Sequence, residues 1–266
     1  MDSNNFADRG DLKISGSGSA GGGNYNSIKI SGSGSIKGDI NCREMVISGS
    51  GKVDGNVEAL NIKFSGSGKI NGNVSSDEIK VSGSGNFKGK VEANSMAVSG
   101  ATAIDEGVKA ESLSISGSFR VNKKIEGGTL KLRGELSSES CEVENFDSEG
   151  SFRISSLLSA DNILISLIGR CEAKEIGGEA ISVRKGYSKR GILQNIFGAI
   201  FDPDGILIAE VIEGDEIYLE NTKAKFVRGS RVTIGFGCDI DNVEYKESIQ
   251  VDEKSNVKNK CQAGDK

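Results

Sequence analysis

The chain has 266 residues, among them 37 Gly but only one Pro and neither Trp nor His, with 36% hydrophobic and 5% aromatic residues. Without His there is no imidazole base and no Ser-His-Asp triad. So few aromatics supply few large anchors for a thick core, so burial must be thin and repeated. The net charge of -5, from 38 acidic and 33 basic residues, argues against a chain built to coat nucleic acid.

Residues 1–13 are mostly polar and charged and read as a disordered tail. Nowhere do about 18 consecutive apolar residues occur, so neither a signal peptide nor a membrane span is read. A cytoplasmic protein is the expectation. From residue 14 a repeat takes over. Its starts fall at Ser31, Ser48, Ser65, Ser82, Ser99, Ser116 and Arg133, each 17 residues after the last. Four starts keep Ser-Gly-Ser-Gly, and Glu149-Gly150-Ser151-Phe152-Arg153 echoes Ser116-Gly117-Ser118-Phe119-Arg120. The rung at 133–148 is one residue short and that at 166–183 one residue long.

Apolar residues hold fixed columns that alternate with polar ones, as strands with one buried face require. One column runs Ile36, Val53, Ile70, Phe87, Ile104, Val121, and a second runs Ile40, Val57, Val74, Val91, Val108, Ile125, Cys141. Paired columns follow in Met45/Ile47, Ile62/Phe64, Ile79/Val81, Met96/Val98, Leu113/Ile115 and Leu130/Leu132, and a small one in Cys42, Ala59, Ser76, Ala93, Ala110, Gly127. Three short β segments per repeat, turned at Gly- and Asn-rich corners, account for this spacing. Helix-pair and leucine-rich repeats are longer. The fold class predicted is all-β: a parallel β-helix of triangular section with coils of 17 residues, over 14–183.

Residues 184–205 break the pattern. Arg184, Lys185, Lys189 and Arg190 are followed by the uncharged stretch 191–201, in which Ile192, Leu193, Ile196, Phe197 and Ile200 share one face of a helix. These nine residues are the candidate contact with a membrane or a partner; folding back as a cap over the coils is the other reading. Further β-helix-like coils are expected over 206–245, and 246–266, charged and without columns, reads as a disordered tail.

Few residues suggest chemistry. Gly16-Ser17-Gly18-Ser19-Ala20-Gly21 has the spacing of a dinucleotide-binding loop but lacks the helix that must follow it. Asp215/Glu216 and Asp239/Asp241 read as solvated corner residues. Cys42, Cys141 and Cys171 read as unbridged core thiols, and no spacing among the five cysteines suits zinc. No catalytic residue, metal or cofactor is expected.

With the columns laid out, the chain resembles the bactofilins, through its Ser-Gly-Ser-Gly coils and the elements Gly38-Asp39-Ile40, Gly55-Asn56-Val57 and Gly72-Asn73-Val74. Residues 217–222, 227–229 and 234–245 look like the longer Gram-positive members. The resemblance implies a right-handed β-helix and a cytoskeletal filament that polymerises without nucleotide. It also implies that the filament scaffolds envelope-associated proteins in cell shape or motility. The implied partners are further copies of the chain and envelope proteins, with peripheral membrane contact. The start Met1-Asp2-Ser3-Asn4-Asn5-Phe6 lacks the short apolar-basic motif that many members use to touch the membrane, so attachment through it is not expected. The residues alone point to self-assembly as well, because coil ends leave unpaired backbone groups and no cap is visible before Ile14. The alternatives are a non-polymerising β-solenoid adaptor and an extended β-helix that binds or cleaves carbohydrate.

Overall fold

The computed structural model describes residues 6, 8–186 and 205–264, and every regular element among them is a β-strand. The chain divides into two compact units, Met1–Gly128 and Thr129–Lys266. Both are parallel β-solenoids.

The first unit contains β1 (Leu12–Ile14), β2 (Ser17–Ile30), β3 (Ser33–Ile47), β4 (Ser50–Asp54), β5 (Val57–Phe64), β6 (Ser67–Ile70), β7 (Val74–Val81), β8 (Ser84–Phe87), β9 (Val91–Val98), β10 (Ala101–Ile104), β11 (Val108–Ile115) and β12 (Ser118–Val121). Pairing is parallel and keeps the repeat in register: Ile40 lies beside Val57, Val57 beside Val74, Val74 beside Val91 and Val91 beside Val108. Like residues therefore stack on like. The predicted apolar columns are the interior, from Ile36, Val53 and Ile70 to Met96 and Leu113, all buried.

Ser-Gly-Ser-Gly works through its glycines. A Cβ on Gly49, Gly66 or Gly83 would stand 2.1–2.2 Å from the carbonyl oxygen of the equivalent glycine one coil earlier, so only glycine lets successive corners approach at the spacing of paired strands. The second glycine faces inward instead. A Cβ on Gly51 would meet Ile47 Cδ1 at 2.8 Å, and one on Gly68 the Phe64 ring at 2.5 Å. Later coils put Thr102 and Phe119 in this column, paired side by side and buried. The column escapes a hydropathy reading because glycine carries no side-chain signal. Phe64 and Phe87 stack at 5.6 Å between centroids.

Strand β13 (Lys124–Leu132) leads into the second unit, which holds β14 (Glu135–Ser138), β15 (Ser140–Ser148), β16 (Ser151–Leu167), β17 (Arg170–Lys185), β18 (Ile206–Leu219), β19 (Thr222–Ile234), β20 (Asp239–Val251) and β21 (Asn256–Gln262). From β16 to β20 its strands run 13–17 residues, because bends at the corners there no longer break the pairing. Coil length varies here: Leu207 pairs with Thr222, Glu135 with Ser151, and Ile163 with Ile181. Cys171 pairs with Leu207, so β17 and β18 stay in register across the gap between residues 186 and 205.

Two expectations are corrected. Residues 1–13 are not wholly a tail: β1 begins at Leu12, Phe6 is buried, and Asn26 N–H bonds to the Gly10 carbonyl at 2.9 Å. Nor is 246–266 disordered. β20 runs to Val251, and β21 pairs Asn256 with Asp239 and Asn259 with Asn242. Composition misled there because an outermost rung needs no apolar column. It is held by backbone bonds and by amide contacts, Asn256 Nδ2 to Asp239 Oδ1 at 2.9 Å and Asn259 Nδ2 to Asn242 Oδ1 at 3.1 Å.

Candidate functional site

A solenoid offers corners, flat faces and terminal edges to a ligand or partner. At one corner of the first unit Asp39 Oδ1 accepts from Asn56 N–H at 2.7 Å, Asn56 Oδ1 from Asn73 N–H at 2.8 Å, and Asn73 Oδ1 from Lys90 N–H at 2.9 Å. This ladder satisfies corner amides that the turn takes out of strand pairing. It lines an open groove of about 500 Å³ with Asn41, Glu58 and Glu92. The ladder oxygens are engaged with backbone, and the Asn41 amide donates to Glu58 at 2.8 Å. The groove is thus a by-product of structural bonding.

Charges on the faces pair between coils. Lys88 meets Asp105 at 2.6 Å, and in the second unit Arg231 bridges Glu216 and Glu247. Those two carboxylates, Glu216 first, hold the Arg231 pKa above its ordinary value. The sequence-flagged carboxylates belong to the same ladders: Asp215 accepts from Ser230 Oγ at 3.2 Å, Asp239 from Asn256, and Asp241 pairs with Lys258 at 2.6 Å. Among the described residues no group of three or more His, Cys, Asp or Glu converges as a metal site. Gly16 to Gly21 run straight into β2, a strand where a dinucleotide loop needs a helix.

Cys42, Cys141, Cys171 and Cys238 are buried free thiols. Burial pushes the first three up to about 12 and Cys238 to about 11, so none is a nucleophile at neutral pH. Cys261, on β21, is exposed.

Of the candidate contact residues, Lys189, Arg190, Ile192, Leu193, Ile196, Phe197 and Ile200 lie outside the described residues. Arg184 and Lys185 end β17. The Arg184 guanidinium lies over the Tyr218 ring, 4.2 Å from its centroid, and Lys185 N–H donates to Glu220 Oε2 at 2.7 Å. Glu220 also accepts from the Tyr218 hydroxyl at 2.5 Å, which raises the Tyr218 pKa. Both roots of the insertion are pinned, Gly186 N–H to the Leu167 carbonyl at 2.9 Å and the Gly205 carbonyl to Asn221 Nδ2 at 3.3 Å. Ile168, against these roots, is 44% exposed, and Leu164, in β16, is 47% exposed. Sequence reasoning passed over these two, since an outward apolar residue in a strand-rich stretch looks like part of a column.

The remaining features are edges. Among the described residues no strand pairs with Ser17–Asn24 of β2 on the side away from β3, and none with β21 on the side away from β20. Such rows of unpaired N–H and C=O groups template addition of another chain. No helix among the described residues is long and apolar enough to cross a membrane.

The family model Bactofilin, described as polymer-forming cytoskeletal, matches residues 4–92. The chain is 42% identical over 106 residues to Uncharacterized protein YhbE of Bacillus subtilis, covering 40% of this chain and 42% of that protein. It is 44% identical over 87 residues to Uncharacterized protein YhbF of the same organism, covering 33% of each. The matches thus span less than half the length of these relatives. No solved structure matches. The family that the coil pattern resembles is the one whose model matches residues 4–92.

Proposed function

We propose that this chain, a bactofilin by the match over residues 4–92, is a structural element that self-assembles into cytoskeletal polymers without nucleotide. The observation that carries the reading is the pair of unpaired strand edges at β2 and β21 on solenoids whose interiors run in register. Edge pairing plus apolar contact supplies the driving force, and the only phosphate-loop spacing in the sequence leads into a strand. Polymers of this kind present the same outer ladders at every coil, which suits a scaffold for envelope-associated proteins in the cytoplasm. Electron microscopy and sedimentation of the purified chain in plain buffer, with and without ATP or GTP, test it. Filaments or large oligomers should form equally in all three conditions. A monodisperse monomer at high concentration over a range of salt would overturn the reading.

A peripheral contact with the inner membrane surface through Arg184, Lys185, Lys189, Arg190, Ile192, Leu193, Ile196, Phe197 and Ile200 is favoured by one observation. The roots of that segment, Gly186 and Gly205, stand against Ile168, one of the large apolar side chains left exposed. Basic residues near an apolar face gain about 1 kcal/mol each from anionic lipid. Flotation with anionic liposomes should carry the wild type up, and both Phe197→Asp and a variant with the four cations replaced by Gln should stay down. Equal flotation of the variants assigns the segment to capping instead.

A further inference from the structure

The first coil of the first unit is built differently from those after it, and the difference leaves its interior bare. The register sets Gly23 beside Ile40 and Tyr25 beside Cys42, both of which are buried. Gly23 has no side chain with which to cover Ile40. Its φ of +143° accompanies a register slip between Gly21 and Gly23, a backbone path that favours glycine. Tyr25 is half-buried, its hydroxyl donating to the Gly21 carbonyl at 3.0 Å. The Ile40 column therefore receives no side chain at its own register position in this coil.

Phe6 belongs to no strand, yet it is only 4% exposed. The Arg9 guanidinium lies over its ring at 4.5 Å, and Arg9 Nη1 donates to Asn41 Oδ1 at 2.6 Å. Asn41 stands between Ile40 and Cys42, so Arg9 brings Phe6 to the place where the coil is bare. Farther along, Asp11 Oδ1 accepts from Ser27 Oγ at 2.8 Å and Asn26 Nδ2 at 3.0 Å. Among the described residues, those on the Phe6 side of Leu12 are thus held to the coils by one ring, a few side-chain bonds and one main-chain bond, from Asn26 N–H to the Gly10 carbonyl, and such segments open far more cheaply than coils paired along their whole length.

We infer that the segment bearing Phe6 and Arg9 is a removable cap on the first coil, and that its release exposes the surface to which a second copy of this chain adds. The occupant is a second copy because what lies beside the cap is the unpaired edge of β2, Ser17–Asn24, a backbone row that a further coil of the same solenoid continues. Capped protein adds slowly at this face, and uncapped protein adds freely. This inference rests on the self-assembly reading above and supplies its regulation.

The test is sedimentation of the full chain over a concentration series, with Phe6→Ala and Arg9→Ala beside the wild type. Removing the cap raises the competent fraction, so the apparent dissociation constant for assembly should fall roughly tenfold in Phe6→Ala and a few-fold in Arg9→Ala. Far-UV circular dichroism should keep the same melting midpoint. If the wild type assembles and both variants assemble no more readily, the cap is wrong and the scaffold reading stands. If none of the three assembles, both fall. Hydrogen exchange gives a second readout at the Asn26 amide, which the cap segment protects through Gly10. Its protection should be lost on wild-type assembly, and retention in the assembled state overturns displacement.

Discussion

Glycines that look interchangeable in the repeat do different things. A methyl on Gly66 meets the backbone oxygen of Gly49 at 2.1 Å, which can move only with its coil, whereas one on Gly68 meets the Phe64 side chain at 2.5 Å. Gly66→Ala should therefore cost more than Gly68→Ala, for which about 1–3 kcal/mol of overpacking is expected. Adding Phe64→Val should recover part of the second loss and none of the first. Denaturant unfolding checks both. Thiol reactivity separates the five cysteines in the same way. At pH 8 a thiol reagent should label Cys261 in the native protein and leave the four buried thiols untouched until the chain unfolds. Asp11 carries a pH dependence. The bonds from Ser27 and then Asn26 hold its carboxyl below the usual carboxylate range. The stabilisation is complete above the unfolded value and lost as pH falls through the lowered folded one. The protection factor of the Asn26 amide, its exchange taken relative to the intrinsic rate at each pH, should accordingly fall below about pH 4 and stay flat above it.

Within an element, what matters is repetition across coils. In the corner ladder each Asn side chain serves the backbone of the coil after it, so Asn56→Ala should expose the Asn73 amide and cost about 0.5–1.5 kcal/mol. Asn56→Asp keeps the acceptor oxygen, as Asp39 already does for Asn56, and should cost less. Ion ladders are weaker. Arg231 spans three coils, but all three side chains are more than half exposed, so Arg231→Ala should leave the denaturation midpoint close to that of the wild type, and indistinguishable from it in high salt.

At the scale of the molecule, parallel pairing makes every coil depend on its neighbours, as in other solenoids. A charge placed in the interior is felt on both sides. Val57 lies between Ile40 and Val74, and Val57→Asp should cost several kcal/mol and abolish assembly with the fold, read by circular dichroism and sedimentation together. The same stacking makes the terminal edges the natural route to polymer. Covering either edge should cap growth at that face without changing the interior.

The sequence by itself determined the fold class, the coil length and the buried columns, because a solenoid converts a linear period directly into contacts between equivalent residues. Ile36, Val53 and Ile70 had to stack once the spacing was constant. It also pointed to the family through the same corners. Only the tertiary structure decided the rest. Gly34, Gly51 and Gly68 are an inward column that hydropathy cannot register. Asn56 and Asn73 are ladder residues because of backbone groups lying a full coil away. Residues 256–262 form a strand because an outermost rung is held by amides and main chain rather than by apolar burial. Phe6 is buried although it belongs to no strand, and Arg9, lying over its ring, ties it to Asn41 more than thirty residues away, a contact no local pattern encodes. In each case the deciding partner is distant in sequence or carries no side chain, which is what a one-dimensional reading cannot weigh.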